Sequence, residues 1–218
     1  TFGTSLSACE KGRQWREALA MLGDMLLRSV SRSTVTCSAA VSACEKGDQW
    51  WAALDLLSEM QCQHVECNTV TCSAAVSACR KQWQRGLLLL ADTRVRRVAR
   101  NAFTFGAAVS ACEKGQQWLL AWTLLEGMDK ARVPRSSPVC NAAISACEKA
   151  RQWSRGLQLL GAMRARRIPR DVITYNAAVS ACEKGRQWRT APAWTRSHTP
   201  RPLAHAREAP SGGRACAS

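Results

Sequence analysis

Four side chains near the first third of this 218-residue chain have types that bind metal: Cys62, His64, Cys67 and Cys72. Thiolates and imidazoles hold zinc when four of them converge. Their order, C-x-H-x2-C-x4-C, matches no common zinc spacing. Cys72 also has counterparts at Cys37 and Cys140, which marks it as part of a repeat. The sequence therefore predicts no metal and no cofactor. A second set is cationic. Arg94, Arg96, Arg97 and Arg100 form one group, Arg132 and Arg135 another, and Arg164, Arg166, Arg167 and Arg170 a third. Such groups either complement helix C-terminal dipoles or form a stripe that tracks a phosphate backbone. On the second reading Arg97, Arg100, Arg135, Arg167 and Arg170 are the phosphate contacts. No phosphate loop, catalytic carboxylate pair in a stable context or nucleophile–base arrangement stands out, so an enzyme is not expected.

Composition points the same way. The 31 Lys and Arg outnumber 16 Asp and Glu, a formal charge of +15 that favours an anionic partner. No apolar run approaches the roughly 20 residues of a membrane span. The chain begins partway through a repeat and reads as a fragment, so any targeting segment lies outside it.

The elements that position these residues recur on a fixed period. Cys9, Cys44, Cys79, Cys112, Cys147 and Cys182 each close a small-residue run, and Trp15, Trp50, Trp83, Trp118, Trp153 and Trp188 each open an aliphatic one. The period is 35 residues, with a single step of 33. Repeats of this length bury their apolar faces against each other and stack into solenoids. The fold expected is all-α, a right-handed α-solenoid of about five and a half helix-turn-helix units. The unit boundaries are 1–33, 34–68, 69–101, 102–136, 137–171 and 172–190, followed by a disordered basic tail over 191–218.

Each Ala-rich first helix can approach its neighbours closely, and Gly12, Gly47, Gly115 and Gly185 stand where a helix ends. Each second helix carries a 3.6-period stripe, as in Trp15, Ala18, Leu19, Leu22 and Met25. The tryptophans read as core and the repeat cysteines as buried, reduced packing residues, which suits an intracellular or organellar setting. The third unit, two residues short, must turn more tightly. Pro192 breaks the sixth unit's second helix.

The linker Arg167-Ile-Pro-Arg-Asp-Val-Ile-Thr-Tyr-Asn176 and the whole 35-residue unit resemble the pentatricopeptide repeat family over roughly residues 1–190. The resemblance implies sequence-specific binding of single-stranded RNA, one base per repeat, in a chloroplast or mitochondrion, with other RNA-processing proteins as further partners. It implies base-selecting pairs at Gly3 with Ser33, Ser38 with Asn68, Ser73 with Asn101, Gly106 with Ser136, and Asn141 with Asp171, and a half-pair at Asn176. By the family's code Ser with Asn prefers adenine and Asn with Asp prefers uracil, an N-A-A-N-U core. The base-sandwiching residues implied are Val35, Val70, Phe103, Pro138 and Ile173. Ser33, Asn68, Asn101, Ser136 and Asp171 also have the residue types that cap helix N-termini, and that role alone accounts for them equally well. A protein-binding scaffold using the same concave surface, or a degenerate fragment without binding function, is the alternative.

Overall fold

Small side chains in one helix and a wide apolar stripe in the next fold each unit into a helical pair. The computed structural model describes residues 2–95 and 98–185. The first helices are α1 (Phe2–Gly12), α3 (Thr34–Lys46), α5 (Thr69–Ala78), α7 (Ala102–Lys114), α9 (Ser137–Lys149) and α11 (Val172–Lys184). The second helices are α2 (Trp15–Leu27), α4 (Trp50–Cys62), α6 (Trp83–Val95), α8 (Trp118–Lys130) and α10 (Trp153–Ala165). Each first helix packs on the first helices before and after it, and each second helix packs on its own first helix and the next. The result is an all-α solenoid. Among the described residues it has no strand, and no helix is long and apolar enough to cross a membrane.

Alanine and cysteine let the row of first helices close up. Ala40, Ala43 and Cys44 of α3, with Ala108, Ala111 and Cys112 of α7, are wholly buried. The described repeat cysteines are free thiols. Burial pushes Cys44, Cys79, Cys112 and Cys147 up to about 11, so they stay protonated and unreactive at neutral pH. From the second helices, Leu22 with Met25, Leu57 with Met60, Leu125 with Met128 and Leu160 with Met163 complete the core. In the third unit Thr93 takes the methionine's place and donates its hydroxyl hydrogen to the Leu90 carbonyl at 2.7 Å.

That third unit absorbs its deletion by winding Cys79–Lys81 as a 3-10 turn, which advances further per residue than an α-helix. Trp83 then starts α6 directly after Gln82. The core divides here: Ala74, Ala75 and Ala78 pack with units one and two, while Val76 and Leu90 pack with the units that follow.

The glycines hold a different role from the one their positions suggest. Gly47 and Gly115 have ordinary right-handed φ of −86° and −80°. The left-handed residues come one place later, at Asp48 and Gln116 (φ 57° and 56°), and Arg13 and Arg151 match them in other units. Glycine is needed because a tryptophan lies against it. A Cβ on Gly47, Gly115 or Gly185 would meet Cδ1 of Trp15, Trp83 or Trp153 at 2.6, 2.3 or 2.4 Å. In each case the ring belongs to the preceding unit's second helix. Trp15, Trp83 and Trp153 are therefore half-buried in the seam between units. No tryptophan lies against Gly12 among the described residues, and a Cβ there meets only Gln14. The expected break at Pro192 and the tail lie outside the described residues.

Gly115→Ala should lower stability by about 1–3 kcal/mol, as overpacking against a rigid ring does. Gly12→Ala should be neutral or stabilising by up to ~1 kcal/mol, through lost backbone freedom in the unfolded chain. Paired thermal melts decide the matter, and equal shifts for the two variants would refute the clasp.

Candidate nucleic-acid interface

The N-terminal turns of the first helices repeat one local design. An extended residue precedes the helix, and its side chain accepts from the backbone N–H three residues on. Ser33 accepts from Thr36 N at 3.3 Å, Asn68 from Thr71 N at 2.8 Å, Asn101 from Thr104 N at 2.9 Å and Asp171 from Thr174 N at 2.8 Å. Capping is thus a real task for four of the five helix-preceding residues expected to select bases. Ser136 is the exception: its side chain makes no capping bond, and Val139 stands where the others place threonine.

Two places further along, each helix exposes an apolar side chain to water. Val35 is 69 % exposed, Val70 60 %, Phe103 59 % and Ile173 65 %, and Pro138 is exposed as well. Three residues beyond come Ser38, Ser73, Gly106, Asn141 and Asn176, so each pair shares one helix face. Asn141 meets Asp171 across the unit boundary. Its amide donates to both carboxylate oxygens at 3.1 and 3.3 Å, while the Thr174 hydroxyl donates to Asn141 Oδ1 at 2.6 Å. The Thr174 backbone N–H, followed by its hydroxyl, holds the Asp171 carboxyl below the ordinary aspartate range.

The other expected pairs are not joined in this way. Ser38 donates to the Val35 carbonyl at 3.0 Å. Ser73 is buried and donates to the carbonyls of Thr69 and Val70, so its hydroxyl is turned back on its own helix. Gly3 is half-buried and Asn176 exposed. Gly106 and Ser136 instead open onto a cavity of about 570 Å³, with Phe103 and Pro138 also on its wall. Arg80, Glu45, Ser77 and Ser110 line it too.

The arginines divide. Arg135 departs from the phosphate role: its side chain is 9 % exposed, paired with Asp129 at 2.7 Å and donating to the Leu125 carbonyl at 3.1 Å. Arg166 forms a second pair with the same Asp129 at 2.6 Å. Arg100 and Arg170 lie 5.3 and 5.9 Å from the rings of Phe105 and Tyr175. Arg167 is exposed in a left-handed turn, and Arg97 lies outside the described residues. A cationic row overlooked at the sequence level closes the first helices. Lys46 pairs with Glu10 at 2.8 Å, Lys149 with Glu113 at 2.9 Å and Lys184 with Glu148 at 2.7 Å. The signal was present, since each lysine follows its glutamate by 36 residues, one period plus one. The Cys62, His64, Cys67 and Cys72 side chains do not form a ligand cluster among the described residues.

The profile of the PPR repeat matches residues 35–65 and 139–168, which cover the second and fifth helical pairs. The backbone superposes on solved proteins built from the same unit. The crystal structure of pentatricopeptide repeat protein PPR10 with an 18-nucleotide psaJ RNA element matches at 18 % identity and a TM-score of 0.64, over 90 % of this chain and 27 % of that one.

The second and fifth of these units are pentatricopeptide repeats, and the others share their fold.

The pentatricopeptide repeat domain of Arabidopsis thaliana protein-only RNase P 1, solved with tRNA, matches at 13 % identity and a TM-score of 0.71, over 83 % of this chain and 96 % of that domain. Nuclear proteinaceous RNase P 2 of the same plant matches at 12 % identity and a TM-score of 0.65, over 75 % of this chain and 37 % of that one. The present array thus spans about a quarter of the length of PPR10. A search of curated proteins by sequence finds no match.

Two outcomes follow for the helix caps. Asn101→Ala should cost about 1 kcal/mol in a thermal melt, whereas Ser136→Ala, with no capping bond to lose, should shift it by a few tenths. Asp171 has a lowered native pKa, so its cap is complete above the ordinary value of 3.8 and is lost as pH falls through the lowered one. Hydrogen exchange at the start of α11 should stay slow at pH 5 and accelerate only below that ordinary value. Acceleration already between pH 6 and 5 would contradict the assignment.

Proposed function

We propose that this array binds single-stranded RNA along the first-helix N-termini, with one base per unit. The observation that carries the reading is the Asn141–Asp171 pair. Two side chains from successive units stand side by side, offering amide N–H and carboxylate oxygen beside the exposed Ile173. Unpaired bases present just such needs: donors and acceptors on one edge and an apolar face. The surplus of cations, +15 over the chain, supplies the long-range attraction. PPR10 bound to RNA and the RNase P 1 domain bound to tRNA support the partner class.

Asn141 with Asp171 selects uracil, and Ser38 with Asn68 selects adenine. Ser73 with Asn101 also selects adenine once the Ser73 hydroxyl swings out from its helix carbonyls. The fourth unit's Gly106 with Ser136 stays without a letter, which gives N-A-A-N-U from the 5′ end. The array acts by occupancy rather than catalysis, protecting, processing or positioning an organellar transcript, alone or with other RNA-processing proteins.

Titration against randomised single-stranded RNA, at several salt concentrations, tests this. Enrichment of A-A-N-U is expected, with Asn141→Ser and Asp171→Asn together moving the last letter to adenine by about tenfold, the scale of one lost base contact. Absence of binding at low salt overturns the reading and leaves a protein-binding scaffold.

A further inference from the structure

The row of Glu–Lys rungs breaks on both sides of the third unit. In regular units the glutamate near the end of one first helix neutralises the lysine that follows it in the next unit, as in Glu10–Lys46, Glu113–Lys149 and Glu148–Lys184. The third unit reverses the sign. Its short turn reads Cys79-Arg80-Lys81, so arginine stands in the glutamate's place and the next lysine, Lys114, has no rung partner opposite it. Arg80 and Lys81 turn instead to Asp48, at 3.7 and 3.1 Å. Lys114 adds its field to the same carboxylate, and Lys81, with Arg80 and Lys114 nearby, holds Asp48 below the ordinary aspartate range. Three cations thus share the one carboxylate of Asp48, where regular rungs balance. The Nε–H of Arg80 is buried without a partner.

Of this cationic knot, Arg80 lines the cavity of about 570 Å³ at the fourth unit. Phe103, Gly106, Ser136 and Pro138 line it at the N-terminal ends of α7 and α9, while Arg80 of the 3-10 turn and Glu45 near the end of α3 line it from the other end. Along parallel first helices those levels lie about ten residues apart, roughly 15 Å. The long Arg80 side chain shortens the gap to the reach of one nucleotide, with its base at one end and its phosphate at the other. Gly106 leaves the base end open, and Ser136 keeps its hydroxyl free of capping.

We propose that Arg80, with Lys81 and Lys114 adding to its field, anchors one backbone phosphate of the strand, that of the nucleotide seated at Phe103 and Pro138. The proposal rests on the RNA-binding reading above and assigns that unit a task other than letter selection. Where the paired side chains read poorly, the strand is held by its backbone and the register of neighbouring bases is set.

A walk of single methylphosphonate linkages, which remove one phosphate charge each, along a nine-nucleotide N-A-A-N-U-containing RNA tests it on the unaltered chain. One linkage at the fourth letter should weaken binding at least fivefold, against twofold or less elsewhere. Arg80→Gln should abolish that difference and reduce the salt slope by about 0.7, the share of one phosphate contact on a single strand. Lys149→Gln, in a balanced rung, should change the slope less. Circular dichroism confirms that each variant is folded. Equal effects at every linkage, or Arg80→Gln matching Lys149→Gln, overturn the anchor while leaving RNA binding intact. Failure of the unaltered chain to bind any RNA overturns both readings together.

Discussion

The seam between units rests on a tryptophan ring laid against a glycine that belongs to the next repeat. The ring comes from the first turn of a second helix, and the glycine closes the first helix of the following unit. A flat indole needs backbone, not side chain, beneath it, and even partial burial of so large a surface contributes on the order of 1 kcal/mol per contact. Because ring and glycine sit at opposite ends of their helices, the contact fixes how far each unit turns relative to the last. Where it changes, the array changes too: Ala150 holds the place in the fifth unit, and the third unit has no residue for it.

The third unit is where regularity yields to specialisation. Losing two residues removes the glycine and winds a 3-10 turn, and in that same turn Arg80 replaces the glutamate. The same change divides the hydrophobic core between α5 residues that face backward and those that face forward. A cationic cluster of this kind costs the protein a balanced rung. Nearest-neighbour stacking tolerates that, since a local loss spreads no further than adjacent units.

The fold was readable from the sequence because its signals recur. Cys9 to Cys182 and Trp15 to Trp153 gave the helices, their order and their stacking. What could not be read are contacts that cross the repeat boundary or depend on a single partner. The reason for Gly115 lies 32 positions earlier in Trp83. The burial of Arg135 depends on Asp129, an acid with no counterpart in the other units' pattern. The uncapped Ser136 was foreshadowed, since Val139 replaces the threonine that closes the other caps. Asn141 and Asp171 were paired by resemblance, and their hydrogen bonds give that pair a geometry. Ser73 was paired in the same way, and its hydroxyl points elsewhere.

Asp171 serves two units at once, holding Asn141 of one while capping α11 of the next. Ser33, Asn68 and Asn101 share the second half of that duty. Variation at this place is therefore confined to a small vocabulary. Serine, asparagine and aspartate can all be exchanged there without unravelling the helix, whereas an aliphatic residue leaves its N–H groups bare. An array built this way can drift from one recognised sequence to another in single steps, each intermediate still folded, because every permitted spelling is also a grammatical start to a helix.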